Sequence, residues 1–151
     1  MWNEKLKKIE ENMVKFSYGP LSPGVSTETI ELWMNGVKKA LGTIPPVEYV
    51  QILKHVNGVE WNGFILYGVD KEYLQCNLGF SSYGLIEQNT LWYENEHQKK
   101  YLFLGESNIS WYVYKIESKE FVVLDNPSGR EIEIYSSFVD MFEQFLDDSL
   151  K

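Results

Sequence analysis

The sequence predicts an α+β domain in which a mainly antiparallel sheet is covered by helices, and three observations carry that expectation. Apolar residues recur at helical spacing over the first third of the chain. Between Tyr101 and Tyr135, short runs of β-forming residues follow one another across short polar turns, and such links join antiparallel hairpins, since parallel strands need a long crossover. A helical stripe then returns at the C-terminus. With 151 residues the chain has the size of one domain, so residues 1–151 are read as a single unit.

In order, Trp2, Leu6, Ile9, Met13 and Phe16 form one apolar stripe, with Glu4, Lys8 and Glu11 off it, and predict a helix over 2–16. Gly19-Pro20 and Pro23-Gly24 break the chain into a loop. Ser26 or Thr27 can cap a second helix carrying Ile30, Trp33, Met34, Val37 and Leu41, and Gly42 is its natural stop. Gly36 costs that helix about 1 kcal/mol against Ala. Pro46 suits the first turn of a third helix, where a missing N–H leaves no bond unmade, and Val47, Val50, Leu53 and Val56 continue it towards Asn57-Gly58.

After an Asn-Gly turn, Phe64–Val69 reads as a strand. Residues 70–84 have no clear period and are read as irregular, and 85–94 as a fourth helix. Strands follow over 101–104, 109–115, 120–124 and 131–135. Asn126-Pro127-Ser128-Gly129 is a turn, because Pro presets one dihedral and Gly permits a positive one. Ile132 and Ile134 alternate with Glu131 and Glu133, which predicts one buried and one wet face. Ser137, with Asp140 three residues on, opens a final helix bearing Phe138, Met141, Phe142, Phe145 and Leu146.

Composition narrows the function. Net charge is −8, which argues against a phosphate-backbone partner, since such binding runs on clustered Lys and Arg. It suits a basic protein partner, although acidic surfaces commonly serve solubility alone. With 5 Trp, 10 Tyr and 8 Phe, the aromatic content either fills the core and sheet faces or places some rings at a partner surface. The lone cysteine, Cys76, cannot make an internal disulfide and reads as a small buried hydrophobe. The charged opening Met1–Lys8 leads into no apolar signal region, and no apolar run approaches the ~20 residues of a membrane span, so a reducing cytoplasm is expected.

Catalytic signatures are scarce. His55 and His97 form no His-x-x-x-His pair, and only Glu94 and Glu96 lie near His97, so neither a metal nor any other cofactor is expected. No Gly-x-Ser-x-Gly elbow or glycine-rich phosphate cradle occurs. The pairs Glu131/Glu133, read on one side of a strand, and Glu94/Glu96 fit solvated faces better than acid–base chemistry. The chain reads as non-catalytic.

Leu41-Gly42-Thr43-Ile44-Pro45, with Tyr49, Leu53, Asn57-Gly58 and the run from Phe64 to Val69, resembles a segment of the SUKH superfamily, the Smi/Knr-like group that includes bacterial immunity proteins and a fungal cell-wall regulator. Glu87-Gln88-Asn89-Thr90, Phe103-Leu104-Gly105 and Ser137-Phe138 are similar to later family segments, so the likeness spans about residues 26–148. Ile44 replaces the usual Leu, and residues 105–110, Gly-Glu-Ser-Asn-Ile-Ser, lack the richness in Gly and Asp expected of that loop. The resemblance implies a SUKH-like fold and an immunity protein that covers a cognate toxin, expected to be a basic nuclease-type domain. It transfers no site residue, because binding faces in the family vary with the toxin. Candidate partner-binding residues, chosen for acidity or aromaticity at loops and strand edges, are Glu60, Trp61, Asp70, Glu94, Glu96, Trp111, Tyr112 and Tyr114. The alternative is a carbohydrate-binding or cell-wall regulatory module stacking sugars on Trp111, Tyr112, Tyr114 and Trp61, although Trp111 and Tyr112 would face opposite ways.

Overall fold

The computed structural model describes residues 1–74 and 83–151. Three helices come first, α1 (Trp2–Lys15), α2 (Thr27–Leu41) and α3 (Val47–Leu53). Strands β1 (Val59–Trp61) and β2 (Phe64–Leu66) follow, then a 3₁₀ turn at Lys71–Tyr73, α4 (Leu85–Trp92) and a second 3₁₀ turn at Glu96–Lys100. The chain ends with β3 (Tyr101–Glu106), β4 (Ser110–Lys115), β5 (Glu120–Asp125), β6 (Glu131–Tyr135) and α5 (Phe138–Ser149). The six strands form one antiparallel sheet in chain order, so the α+β class holds. The expected strand over Phe64–Val69 stops at Leu66, because Gly68 leaves the ladder to bridge Gly84 in parallel. Cys76 lies outside the described residues.

Local chemistry explains the helix ends. Ser26 Oγ accepts the Thr29 N–H, and Gly42 closes α2 at φ +77°, a conformation that costs glycine nothing. Gly36 has a packing reason, since a Cβ there would overlap the Tyr73 hydroxyl. Ser137 Oγ accepts the Asp140 N–H, and Glu48 of α3 accepts the Phe138 N–H, so α5 is capped twice. Phe16 falls beyond the last turn of α1 and is 60% exposed, a departure from its expected place on the buried stripe.

Strand register sorts the side chains into two faces. Leu66, Tyr112, Phe121 and Tyr135 share one, and α5 lies on it, with Phe145 against Tyr112 (5.1 Å) and Phe64 (5.7 Å) and Phe138 against Phe121 (5.8 Å). Phe138, Met141, Phe142, Phe145 and Leu146 are all buried, each worth roughly 1.5–3 kcal/mol. Helices α1 and α3 pack on α5, and α2 packs on α4. The opposite face carries Phe103, Trp111, Val113, Val122 and Ile134. There α4 lies over β3, and its Trp92 stacks on Phe103 at 4.3 Å.

Strand β6 departs from expectation. Ile132 and Ile134 are half exposed, because α5 covers the other face and the short α4 sits over β3. A bulge opposite Val123/Leu124 also separates the two glutamates: Glu133 pairs with Val123 and Glu131 with Leu124, which point to opposite faces. Glu131 therefore joins Lys115 (3.0 Å) and Tyr101 (2.8 Å), while Glu133 accepts from Tyr135 (2.7 Å).

Candidate partner-binding groove

The eight residues proposed from sequence do not form one face. Three are buried. Asp70 is only 2% exposed: Oδ1 accepts from Trp33 Nε1 (2.9 Å) and the Ile86 N–H (3.0 Å), and Oδ2 from the Glu87 N–H (3.0 Å). The side chain caps α4 from 16 residues away and ties it to α2, so an outward contact is excluded by these bonds. Trp111 is 8% exposed and Tyr112 2% exposed, because helices cover the sheet on both sides of β4. Trp111 meets Trp92 at 4.8 Å, and Tyr112 meets Phe145. Tyr114 is half buried against Phe121 at 5.2 Å. With these three rings turned inward or half covered, the sugar platform drawn on β4 is not formed.

Glu94 and Glu96 are exposed, but they precede β3, and Glu96 holds Lys99 at 2.9 Å. Glu60 and Trp61 lie near the other end of β3, since Ile65, the partner of Glu60, pairs with Glu106. The acidic candidates thus fall at two ends of the sheet.

Glu60 and Trp61 do line a groove, of about 1040 Å³, at β1, the end strand of the sheet among the described residues. That volume lies near the upper end of small-molecule sites, roughly 300–1,000 Å³. The chain from Asn57 to Gly63 lines it, together with Phe16 and Tyr18–Ser22, and Met13, Leu66, Tyr83 and Asn108 complete the lining. Phe16 lies 6.3 Å from Trp61 at a tilt of 30°, and Tyr18 meets it edge-on at 6.1 Å. Tyr18 is 73% exposed, so a ring cluster stands open beside the groove. Glu60 is the one charged residue lining it among the described residues. Ordinary loop chemistry sets these walls. Leu21 N–H donates to Glu10, Asn57 N–H to the Ser22 carbonyl, and Asn62 and Gly63 take positive φ in a two-residue hairpin turn. Asn62 Nδ2 also donates to the Ser149 carbonyl, which pins that turn to the end of α5.

Beneath the groove, buried polar groups are structural. Asn57 Oδ1 accepts the Val69 N–H. Asn89, fully buried, donates to the Phe103 carbonyl and accepts the Phe103 N–H, completing the ladder where β2 has ended. Tyr67 donates to Glu106 at 2.6 Å and accepts from Trp92; burial, and then Glu106, push its hydroxyl far above the usual tyrosine range. His55 packs edge-on to Trp2, and His97 is exposed.

Among the described residues, no three His, Cys, Asp or Glu gather where one ion could bind, and no helix is long and apolar enough to cross a membrane. No family model matches this chain, and no curated protein is similar enough to count as a relative.

Proposed function

We propose that this chain is a non-catalytic cytoplasmic immunity protein, SUKH-like in kind, that binds and neutralises a basic, nuclease-type toxin. The observation that carries the proposal is the groove at the β1 edge, where exposed Phe16 and Tyr18 flank Trp61 and Glu60 adds the one charge among the described lining residues. Aromatic anchors of this kind supply much of the energy at protein interfaces, and a net charge of −8 speeds encounter with a basic partner. Inhibition is steric: the bound immunity protein shields the toxin's substrate cleft. The test is co-expression with the toxin domain encoded by the adjacent gene. Survival with a stoichiometric complex is expected; killing despite abundant folded protein overturns the proposal.

A second reading, a glycan-binding module, draws on the same exposed rings of Phe16 and Tyr18, which replace the buried rings of β4 as a stacking surface. Stacking needs a free ring face, and Trp61 already has Phe16 tilted against it, so peptide contact is favoured. Tryptophan fluorescence that responds to glycans and ignores basic peptides would reverse that order.

A further inference from the structure

We infer that the groove receives an extended, basic segment of the partner, which adds as a strand to the free edge of β1 with a Lys or Arg opposite Glu60. The inference rests on the binding-protein proposal and names how that binding occurs.

Among the described residues, strand β1 ends the sheet and pairs with β2 alone. Asn62 (φ +53°) and Gly63 (φ +81°) form a two-residue turn of the left-handed type, so the closing pair Trp61–Phe64 is hydrogen-bonded and the next, Glu60–Ile65, is not. The N–H and C=O of Glu60 therefore point away from β2, towards the groove. Among the described residues neither group has a partner outside the sheet. Just before β1, on the other side of Gly58 (φ +83°), Pro23 bridges Val56, and Asn57 N–H reaches the Ser22 carbonyl. Gly19–Leu21, which lead into Ser22, also line the groove. An incoming strand would take up the pairing where Ser22 leaves it.

Charge identifies the occupant. A second copy paired antiparallel about Glu60 would set carboxylate against carboxylate in two chains of net −8, and like charges directly opposite are destabilising. A basic residue there is favoured. Because side chains alternate, Val59 and Trp61 project to the face opposite Glu60, so the residues flanking that Lys or Arg should be apolar and meet Trp61, Phe16 and Tyr18. The expected sequence is apolar–basic–apolar in extended form. One outward residue supplies only two backbone bonds, so the aromatic cluster must provide most of the anchoring.

The test uses the full chain and a blocked synthetic peptide of alternating Val and Lys. Controls are the same peptide with Glu for Lys, one with its Lys residues grouped, and one N-methylated at the residue opposite Glu60. Binding at least tenfold tighter than every control, with the Glu60 amide newly protected from hydrogen exchange, is the expected result. E60K, at an exposed position, should abolish the preference for Lys without loss of folding, and W61A should weaken binding at least tenfold. Equal binding of the grouped or N-methylated peptide, or protection elsewhere, overturns strand addition. The same exchange experiment on the co-expressed toxin complex separates the two proposals. A complex that leaves the Glu60 amide exchanging freely overturns strand addition and keeps the immunity function. Selective peptide binding without toxin neutralisation does the reverse.

Discussion

Replacing Asp70 by Asn tests whether this carboxylate holds the fold together or serves the surface. Asp70 accepts three hydrogen bonds, two on Oδ1 from Trp33 and Ile86 and one on Oδ2 from Glu87. In D70N the retained oxygen can keep Trp33 and Ile86, but the new NH₂ faces the Glu87 N–H, donor against donor. One charge-assisted bond is lost, at roughly 1.5–3 kcal/mol, and two are weakened to neutral ones. The favourable placement of an anion at the start of α4, about 0.3–1 kcal/mol, is lost as well. The sum is about 3 kcal/mol, which for a chain of this length lowers Tm by roughly 6–12 °C. Urea unfolding followed by circular dichroism and by tryptophan fluorescence measures the change. A double-mutant cycle with W33F should give a coupling of about 1 kcal/mol, because Trp33 and Asp70 touch. If D70N unfolds within about 0.5 kcal/mol of the parent, the weight placed on a buried cap is refuted.

Three further outcomes are expected. N89A leaves the N–H and C=O of Phe103 without partners in the interior and should cost about 3 kcal/mol by urea unfolding, with α4 and β3 the first segments to lose hydrogen-exchange protection. G84A puts a methyl into the Asp70 carboxylate and within 2.9 Å of its Cα, and should cost roughly 1–3 kcal/mol by urea unfolding, with only part of that cost relieved in a D70A background, where the carboxylate is gone but the backbone contact stays. Burial, as the leading cause, pushes Tyr93 and Tyr112 up to about 12. The fold thus favours the neutral phenols, and that stabilisation, full below the usual value near ~10, is lost as pH rises through about 12. Absorbance at 295 nm should show a late-ionising fraction that returns to ordinary behaviour in urea, and Y112F should remove part of it.

What the sequence made legible is local. The stripes of α1, α2 and α5, the caps Ser26, Gly42 and Ser137, and the hairpin-linked strands β3–β6 all rest on residues a few positions apart. What stayed hidden depends on distant partners. Asp70 and Asn89 resemble ordinary polar residues until folding brings Trp33, Ile86 and Phe103 beside them. Trp111 and Tyr112 point to opposite faces, which suggests that one ring is exposed; two helix layers bury both. Of the eight candidate residues, Glu60 and Trp61 reach the groove, and their neighbours Phe16 and Tyr18 were legible only as the end of a helix and a loop. β1, three residues long, carries too little pattern to announce itself.

The division between buried caps and the open edge makes folding and binding separable. Asp70, Asn57, Asn89 and Glu48 each satisfy backbone groups of a distant element, so their loss should lower stability before it touches any interface. Glu60 and Tyr18 are exposed, and Phe16 lies beyond its helix, so their substitution removes little of the core. F16A and Y18A should therefore leave Tm within about 2 °C of the parent, as surface changes typically do, while weakening the partner complex. An open strand edge is ordinarily a liability, and here it is limited by the brevity of β1 and the charge of Glu60. Those two features restrict pairing to a short segment of opposite charge, so E60V, which removes the charge, should make the chain self-associate, measurable by light scattering at concentrations where the parent scatters as a single species.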